Sequence, residues 1–472
     1  MQNRIRRTKI VATIGPASSS PEMIRQLIQA GMDVARLNFS HGNYADHEKV
    51  IHHLRSISDE LDMPVTIMQD LQGPKIRVGK LPGEMIVLNP RDIVTLVPEQ
   101  SYKGEPSFIP IDYHYVAEEA KPGMQVLLAD GLFELQVEKI TEDQVMCKVI
   151  EGGELKSRKG VNFPNLNLRL PSMTEKDMKD LEFGLSQDVD WISLSFVRSA
   201  EDVRVLKKFL SDHGKPKPVI AKIEKPQAID HLDEIVDEVH GIMVARGDLG
   251  VELNPEKVPM LQKRIIELCN RKGKPVITAT QMLESMIQEP RPTRAEASDV
   301  ANAIIDGTDA IMLSGETAMG NFPVKAVEMM DRIAKDVEEK IEFKTYPPSG
   351  HSDILALSHA VSLMESIVDP ACIVVITTSG RSAQFIAADR PKSPVFALTT
   401  HENVFHALNL LWGIKPFLID EHPDSFEEMV ALSESILLTR NFAKTGDKIL
   451  FLGGVPAHQA GGTNFVKIHT LK

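Results

Sequence analysis

The chain has 472 residues, too many for one hydrophobic core, and its 42% hydrophobic and 25% charged residues are ordinary for a globular protein of several domains. A net charge of −13 argues against binding to nucleic acid and makes any anionic substrate depend on a locally basic pocket. The 3 cysteines, Cys147, Cys269 and Cys372, are widely spaced, which excludes a disulfide framework and a sequence-local zinc site. No apolar run reaches membrane-spanning length and the N-terminus lacks a signal-peptide pattern, so a soluble cytoplasmic protein is expected.

In chain order, IVATIG (10–15), VARLNF (34–39) and VTIMQD (65–70) are near-continuous apolar runs, the pattern of parallel strands covered on both faces. Amphipathic stretches of helical length lie between them. After Asp70 the character changes for about a hundred residues. MIVLNP, DIVTLV, MQVLLAD, LFELQV and QVMCKVI alternate or pack β-branched residues between KPG, ADG and EGG turns, an all-β module hinged near Gln72–Pro74 and Asn167–Pro171. A helix over Thr174–Gln187 resumes the first pattern, and WISLSF (191–196), VIAKIE (219–224), GIMVAR (241–246), VITATQ (276–281) and AIMLSG (310–315) follow.

Eight such strands close a (β/α)8 TIM barrel, an α/β fold whose active site gathers at the strand C-termini. The all-β insertion after the third strand would sit over that face as a lid. A helix over Pro323–Ile341 leads to the Pro/Gly linker TYPPSGH at 345–351. Beyond it, helices at 352–367, 382–389, 402–411 and 425–439 alternate with ACIVVITT, VFALT, KPFLID and KILFLGG, with NFVKIHTL last, which predicts a doubly wound C-terminal α/β sheet domain. The domains expected are the barrel (1–71 and 172–345), the inserted β domain (72–171) and the C-terminal domain (346–472).

The barrel strand ends supply Arg36, Asn38, Asp70, Lys222, Glu224, Asp248, Thr280 and Glu316, cations and carboxylates that suit a metal ion and a phosphorylated substrate. Glu224 and Asp248 fall just past adjacent strand ends, and two hard carboxylates with open positions are how Mg²⁺ is held. A salt bridge from Glu224 to Lys222 or Arg246 is the plainer alternative. Lys222 lies two residues before Glu224 and so faces the same way, as a fixed cation for a developing enolate or phosphoryl oxygen. Arg36, flanked by Asn38, Ser40, His41 and Gly42, and Arg77 in GPKIRVG are phosphate candidates. Thr280, Ser314 and Glu316 end the last two runs, where such residues, taken alone, are more often turn or cap residues.

IVATIGPAS, ARLNFSHG, GPKIR, KGVNFP, KIEKP, MVARGDLGVE, ATQMLESM, PTRAEASDVANA and MLSGETA, in this order, resemble pyruvate kinase from about residue 8 to the C-terminus. The resemblance implies phosphoryl transfer from phosphoenolpyruvate to ADP, giving ATP and pyruvate. It implies Mg²⁺ or Mn²⁺ on Glu224 and Asp248, with Lys222 and Arg36 neutralising the phosphoryl group. The run Ala245, Arg246, Gly247, Asp248 with Thr280 would seat the substrate carboxylate, and Thr280, Ser314 and Glu316 would serve the proton path to the enolate carbon. Arg77 and Lys159 from the lid, with Asn38 and His41, would meet the nucleotide. Many family members need K⁺ at the position of Asn38, Ser40, Asp70 and Leu71, and carry Glu in GPEIR. This chain has Lys75 there, so its ammonium is expected to replace K⁺.

TTSGRSA (Thr377, Thr378, Ser379, Gly380, Arg381, Ser382) opens a helix after a buried strand, either as a phosphate cradle or as a capped αL turn. With the glycine-rich loop 453–464, including Gly461, Gly462 and Thr463, it is the effector site that the resemblance implies, for a sugar phosphate or nucleotide. The family is also usually homotetrameric. Two rivals are a metal-dependent lyase or aldolase, which would not need Arg77 and Lys159, and a catalytically dead sugar-phosphate sensor, which would have lost Arg36, Lys222, Glu224 or Asp248. All four are present.

Overall fold

The computed structural model describes residues 6–164, 166, 169–346, 352–420, 423, 425–455 and 462–472. Asn167 of the expected hinge, residues 347–351 of the linker, Pro456–Ala460 and Gly461 lie outside the described residues.

Strands β1 (Lys9–Ile14), β2 (Val34–Asn38) and β3 (Thr66–Asp70) precede the insertion, which holds β4 (Met85–Leu88), β5 (Ile93–Pro98), β6 (Phe108–Ile111), β7 (Gln125–Leu128), β8 (Phe133–Thr141), β9 (Gln144–Glu151), β10 (Gly153–Lys156) and β11 (Val161–Asn162). β10 pairs with β4, and the others form a sheet in the order β11-β7-β8-β9-β5-β6 over their own apolar core. A short helix, Val116–Glu119, lies among these strands. The first pattern resumes with β12 (Trp191–Leu194), β13 (Val219–Ile223), β14 (Gly241–Ala245), β15 (Val276–Ala279) and β16 (Ala310–Leu313). These five and β1–β3 close a parallel barrel in the order β1-β16-β15-β14-β13-β12-β3-β2.

Burial on both faces explains the uninterrupted apolar runs: every residue of β1, β3, β12 and β14 is buried. The helices begin where side chains satisfy their first N–H groups. Thr174 and Thr293 form reciprocal capping boxes with Asp177 and Glu296. Inside the barrel, alternation sorts the layers. Val11, Val34, Met68, Trp191, Ile220 and Met243 form an apolar floor, and residues two or four positions further on carry the polar groups of the opposite end.

The C-terminal sheet contains β17 (Cys372–Ile376), β18 (Val395–Thr399), β19 (Ile414–Leu418), β20 (Lys448–Gly454) and β21 (Thr463–Thr470), in the order β19-β18-β17-β20-β21, with β21 antiparallel to β20. Separate apolar clusters cover its two faces. The helix expected over 402–411 ends at Leu408, because the next residues turn into the barrel. Leu410, fully buried, joins the apolar floor, and the Asn409 amide donates to the backbone oxygens of Asp33 at 2.9 Å and Pro64 at 2.7 Å. Among the described residues, no helix is long and apolar enough to cross a membrane.

Candidate active site

The polar end of the barrel is built around Lys222. It leaves β13 two residues beyond the floor residue Ile220, in register with Met243 of β14. Its ammonium lies 3.0 Å from Glu224 and 3.4 Å from both carboxylate oxygens of Asp70, and donates to Ser195 Oγ at 2.8 Å. Asp70 is buried and also accepts two hydrogen bonds from the Arg36 guanidinium, the Nε one at 2.8 Å. Arg36 donates a third bond to Thr13 Oγ at 2.9 Å. The two cations are thus held by one carboxylate, with little freedom to follow solvent.

Electrostatics sharpen this arrangement. Burial opposes the charge on Asp70, but Arg36 and Lys222 outweigh it and hold the carboxyl below its ordinary range. Burial likewise opposes the Lys222 ammonium, and Asp70 and Glu224 outweigh it, raising its pKa. Glu224 is the strained partner. Burial pushes its carboxyl up, the nearby Asp248 adds to this, and Lys222 only partly offsets both. The Phe196 N–H donates to Glu224 at 2.7 Å, which fixes the carboxylate's direction. A divalent cation between Glu224 and Asp248 would relieve both their desolvation and their repulsion, so this hard-oxygen pair fits Mg²⁺ or Mn²⁺.

On the neighbouring strand ends, Arg246 pairs with Asp299 at 2.7 Å and donates to the Thr280 carbonyl at 2.8 Å. It does not pair with Glu224; its role is to hold Thr280 and Gln281, both at positive φ (68° and 53°). The Gly247 N–H donates to Thr280 Oγ at 2.7 Å. Ala245, Arg246, Gly247, Asp248 and Thr280 are therefore brought together. Glu316 is fully buried and accepts the N–H groups of Leu283 at 3.0 Å and Ser314 at 2.7 Å. That leaves its carboxylate holding backbone, while Ser314 Oγ is buried with no hydrogen-bond partner among the described residues.

The family model for the pyruvate kinase barrel domain matches residues 5–327, and that for the pyruvate kinase alpha/beta domain matches residues 356–469. The chain belongs to the pyruvate kinase family. Pyruvate kinase 2 of Synechocystis is 46% identical over 99% of this chain and 80% of its own length. Pyruvate kinase of Clostridium acetobutylicum is 40% identical over 99% of this chain and 100% of its own. A crystal structure of a pyruvate kinase from Cryptosporidium parvum superposes with a TM-score of 0.93 at 36% identity, covering 99% of this chain and 96% of that one. The chain is accordingly a phosphotransferase whose substrates are phosphoenolpyruvate and ADP and whose products are pyruvate and ATP.

The two segments at the base of the insertion, around Arg77 and Gly160, meet in an isolated antiparallel bridge. These segments carry Lys75, Arg77 and Lys159 together, although the 159 and 77 positions are far apart in sequence. Lys75 lies 3.0 Å from Asp130 and 3.9 Å from Asp248, with its chain packed against Gly160. It faces the Asp248 carboxylate, and Asp70 is engaged by Arg36 and Lys222 instead. Leu71 is buried, Asn38 accepts the Ser40 N–H at 3.1 Å, and His41 is exposed. Desolvation together with the cations Arg77 and Arg36 keeps the His41 imidazole below its ordinary pKa.

In the C-terminal domain the Thr377 hydroxyl accepts the Gly380 N–H at 2.9 Å, and Gly380 has a φ of 79°, so Thr377 closes an αL turn before the helix Arg381–Ala388. Ser382 and Thr463 hydroxyls meet at 2.6 Å, which brings the two expected effector loops together. Thr378 is half-buried and Ser379 and Arg381 are exposed beside them, Gly462 next to Thr463. Reading the sequence missed Ser195, Thr13, Phe196 and Asp299 as partners. The polar break in IVATIG and the Ser193/Ser195 alternation marked two of these; nothing local marked Asp299.

Proposed function

We propose that Lys222 and Arg36, held by Asp70, receive the phosphoryl group as it leaves phosphoenolpyruvate. The observation that carries this reading is a buried lysine and arginine converging on one carboxylate at the barrel's polar end. Phosphoryl transfer needs fixed cations where charge spreads over the equatorial oxygens, and little covalent chemistry from the protein. Glu224 and Asp248 would hold Mg²⁺ or Mn²⁺, which when bound supplies a Lewis acid for the substrate oxygens. The Gly247 and Asp248 N–H groups with Thr280 would seat the substrate carboxylate. Ser314 Oγ would orient the water that hands a proton to the enolate carbon, with Glu316 positioning Ser314. Asn38, His41, Arg77 and Lys159 would meet the nucleotide phosphates.

Lys75 would serve in place of K⁺ as a fixed cation at the polar end of the barrel, standing 3.9 Å from Asp248 and not at the Asn38, Ser40, Asp70 and Leu71 position itself. The 377–382 and 462–463 loops would bind a sugar phosphate or nucleotide effector. The enzyme would be a cytoplasmic homotetramer with domains at 1–71 plus 172–345, 72–171 and 346–472.

The test of the catalytic reading is ATP formation by the Glu224→Gln and Lys222→Met variants beside the wild type. Both should lose most turnover, with the first also losing Mg²⁺ binding; full turnover in either would reject the assignment. A panel of sugar phosphates and AMP that left the phosphoenolpyruvate saturation curve unmoved would reject the effector site.

A further inference from the structure

Glu252 is the last residue of the helix Arg246–Glu252, one turn after Asp248, and it is 3% exposed. One of its carboxylate oxygens accepts from two directions: Asn162 Nδ2 of the lid at 2.6 Å and Lys225 Nζ at the end of β13 at 2.5 Å. Asn162 is itself 6% exposed and lies three residues after Lys159. Lys225 follows Glu224 and sits 5.5 Å over the Phe196 ring, whose backbone N–H holds Glu224. A second lid contact reinforces the first, because Gly131 packs beside Val251.

We propose that Glu252 is a positioning residue that seats the lid on the metal carboxylates. Its two donors divide the task. The Asn162 bond sets where Lys159, Arg77 and Lys75 stand over the barrel. The Lys225 pair holds Lys225 against Phe196 and so keeps Glu224 aimed. A buried carboxylate accepting both bonds is desolvated, so losing either donor is felt at the site it positions. The proposal rests on the reading that the lid cations meet ADP.

Asn162→Ala should raise KM for ADP about tenfold while half-saturation by Mg²⁺ stays near wild type. Glu252→Gln keeps an acceptor for Asn162 but removes the charge facing Lys225. It should raise the half-saturating Mg²⁺ about tenfold and leave KM for ADP near wild type. Lys225→Gln removes the same pair from the other side, should reproduce the Mg²⁺ effect, and stands in if Glu252→Gln fails to fold. Glu252→Gln and Lys225→Gln variants that both leave half-saturating Mg²⁺ unmoved, or any of the three variants moving both parameters together, overturn the proposal. Amide hydrogen exchange at residues 159–162 separates this from a failure of the nucleotide reading. Faster exchange in Asn162→Ala with an unchanged KM for ADP keeps the latch and discards the lid–ADP contact; unchanged exchange discards the latch.

Discussion

Replacing Lys222 by Met removes the cation on which Asp70, Glu224 and Ser195 converge, while keeping a side chain of similar length. Two consequences follow from its distances. Asp70 retains the Arg36 guanidinium and stays ionised. Glu224 loses its nearest cation at 3.0 Å and keeps only the Phe196 N–H against burial and Asp248, so it is driven further toward protonation. Removing one electrostatic donor from a preorganised site costs roughly 2.7–4 kcal/mol of transition-state stabilisation, about 10²–10³ in kcat. Breaking a buried pair costs about 3–5 kcal/mol of stability when the partner is left alone as a charge; Arg36 spares Asp70 that fate, and Glu224 escapes it by taking up a proton. Catalysis should therefore suffer more than folding. The assay is steady-state ATP formation with phosphoenolpyruvate and ADP varied separately, beside a thermal melt. The expected result is kcat down 10²–10³ (roughly) with KM for phosphoenolpyruvate within about tenfold, because Arg36 still binds the phosphoryl group. Lys222→Arg should not rescue, since a planar fork cannot reach three acceptors placed around a point charge. A folded Lys222→Met enzyme with kcat within tenfold of wild type would refute the reasoning.

Four further outcomes follow from the same structure. Burial and Asp248 raise the Glu224 pKa, so protons compete with Mg²⁺, and half-saturating Mg²⁺ in a kinetic titration should rise as the pH is lowered from 8 toward that raised range. Burial lowers His406 from 6.5 to about 4, so the unfolded chain binds the proton first. Its contribution is complete above 6.5 and is lost as the pH falls toward 4, roughly 3 kcal/mol, and denaturation of His406→Gln should show a shallower acid loss than wild type. Leu410→Ala empties the plug of the barrel floor and should cost about 2–5 kcal/mol, read as a lower apparent Tm. Lys75→Glu should make turnover depend on added K⁺, measured in tetramethylammonium buffer.

The barrel was legible because its strands are apolar on both faces, and its chemistry because side chains alternate. Met68 then Asp70, and Ile220 then Lys222 and Glu224, each step from floor to site on one face of a strand. What stayed hidden was long-range pairing. Asp299 meets Arg246 across 53 residues, Asn162 meets Glu252 across 90, and Leu410 enters a barrel whose strands end a hundred residues earlier. No local pattern records such partners, since each is an ordinary helix, strand or turn residue until the fold closes. Glu316 shows the opposite limit. Its position beside Ser314 was readable, but that both its oxygens hold backbone N–H groups became visible only in three dimensions.

The most direct test is the rate of ATP formation from phosphoenolpyruvate and ADP with Mg²⁺ in tetramethylammonium buffer, measured with and without K⁺. Turnover that is equal in the two conditions is the predicted result. Turnover only with K⁺ would contradict the Lys75 assignment while leaving the rest of the site standing. No ATP in either condition, from pure folded enzyme, would contradict the catalytic account built on Lys222, Arg36 and the Glu224–Asp248 pair.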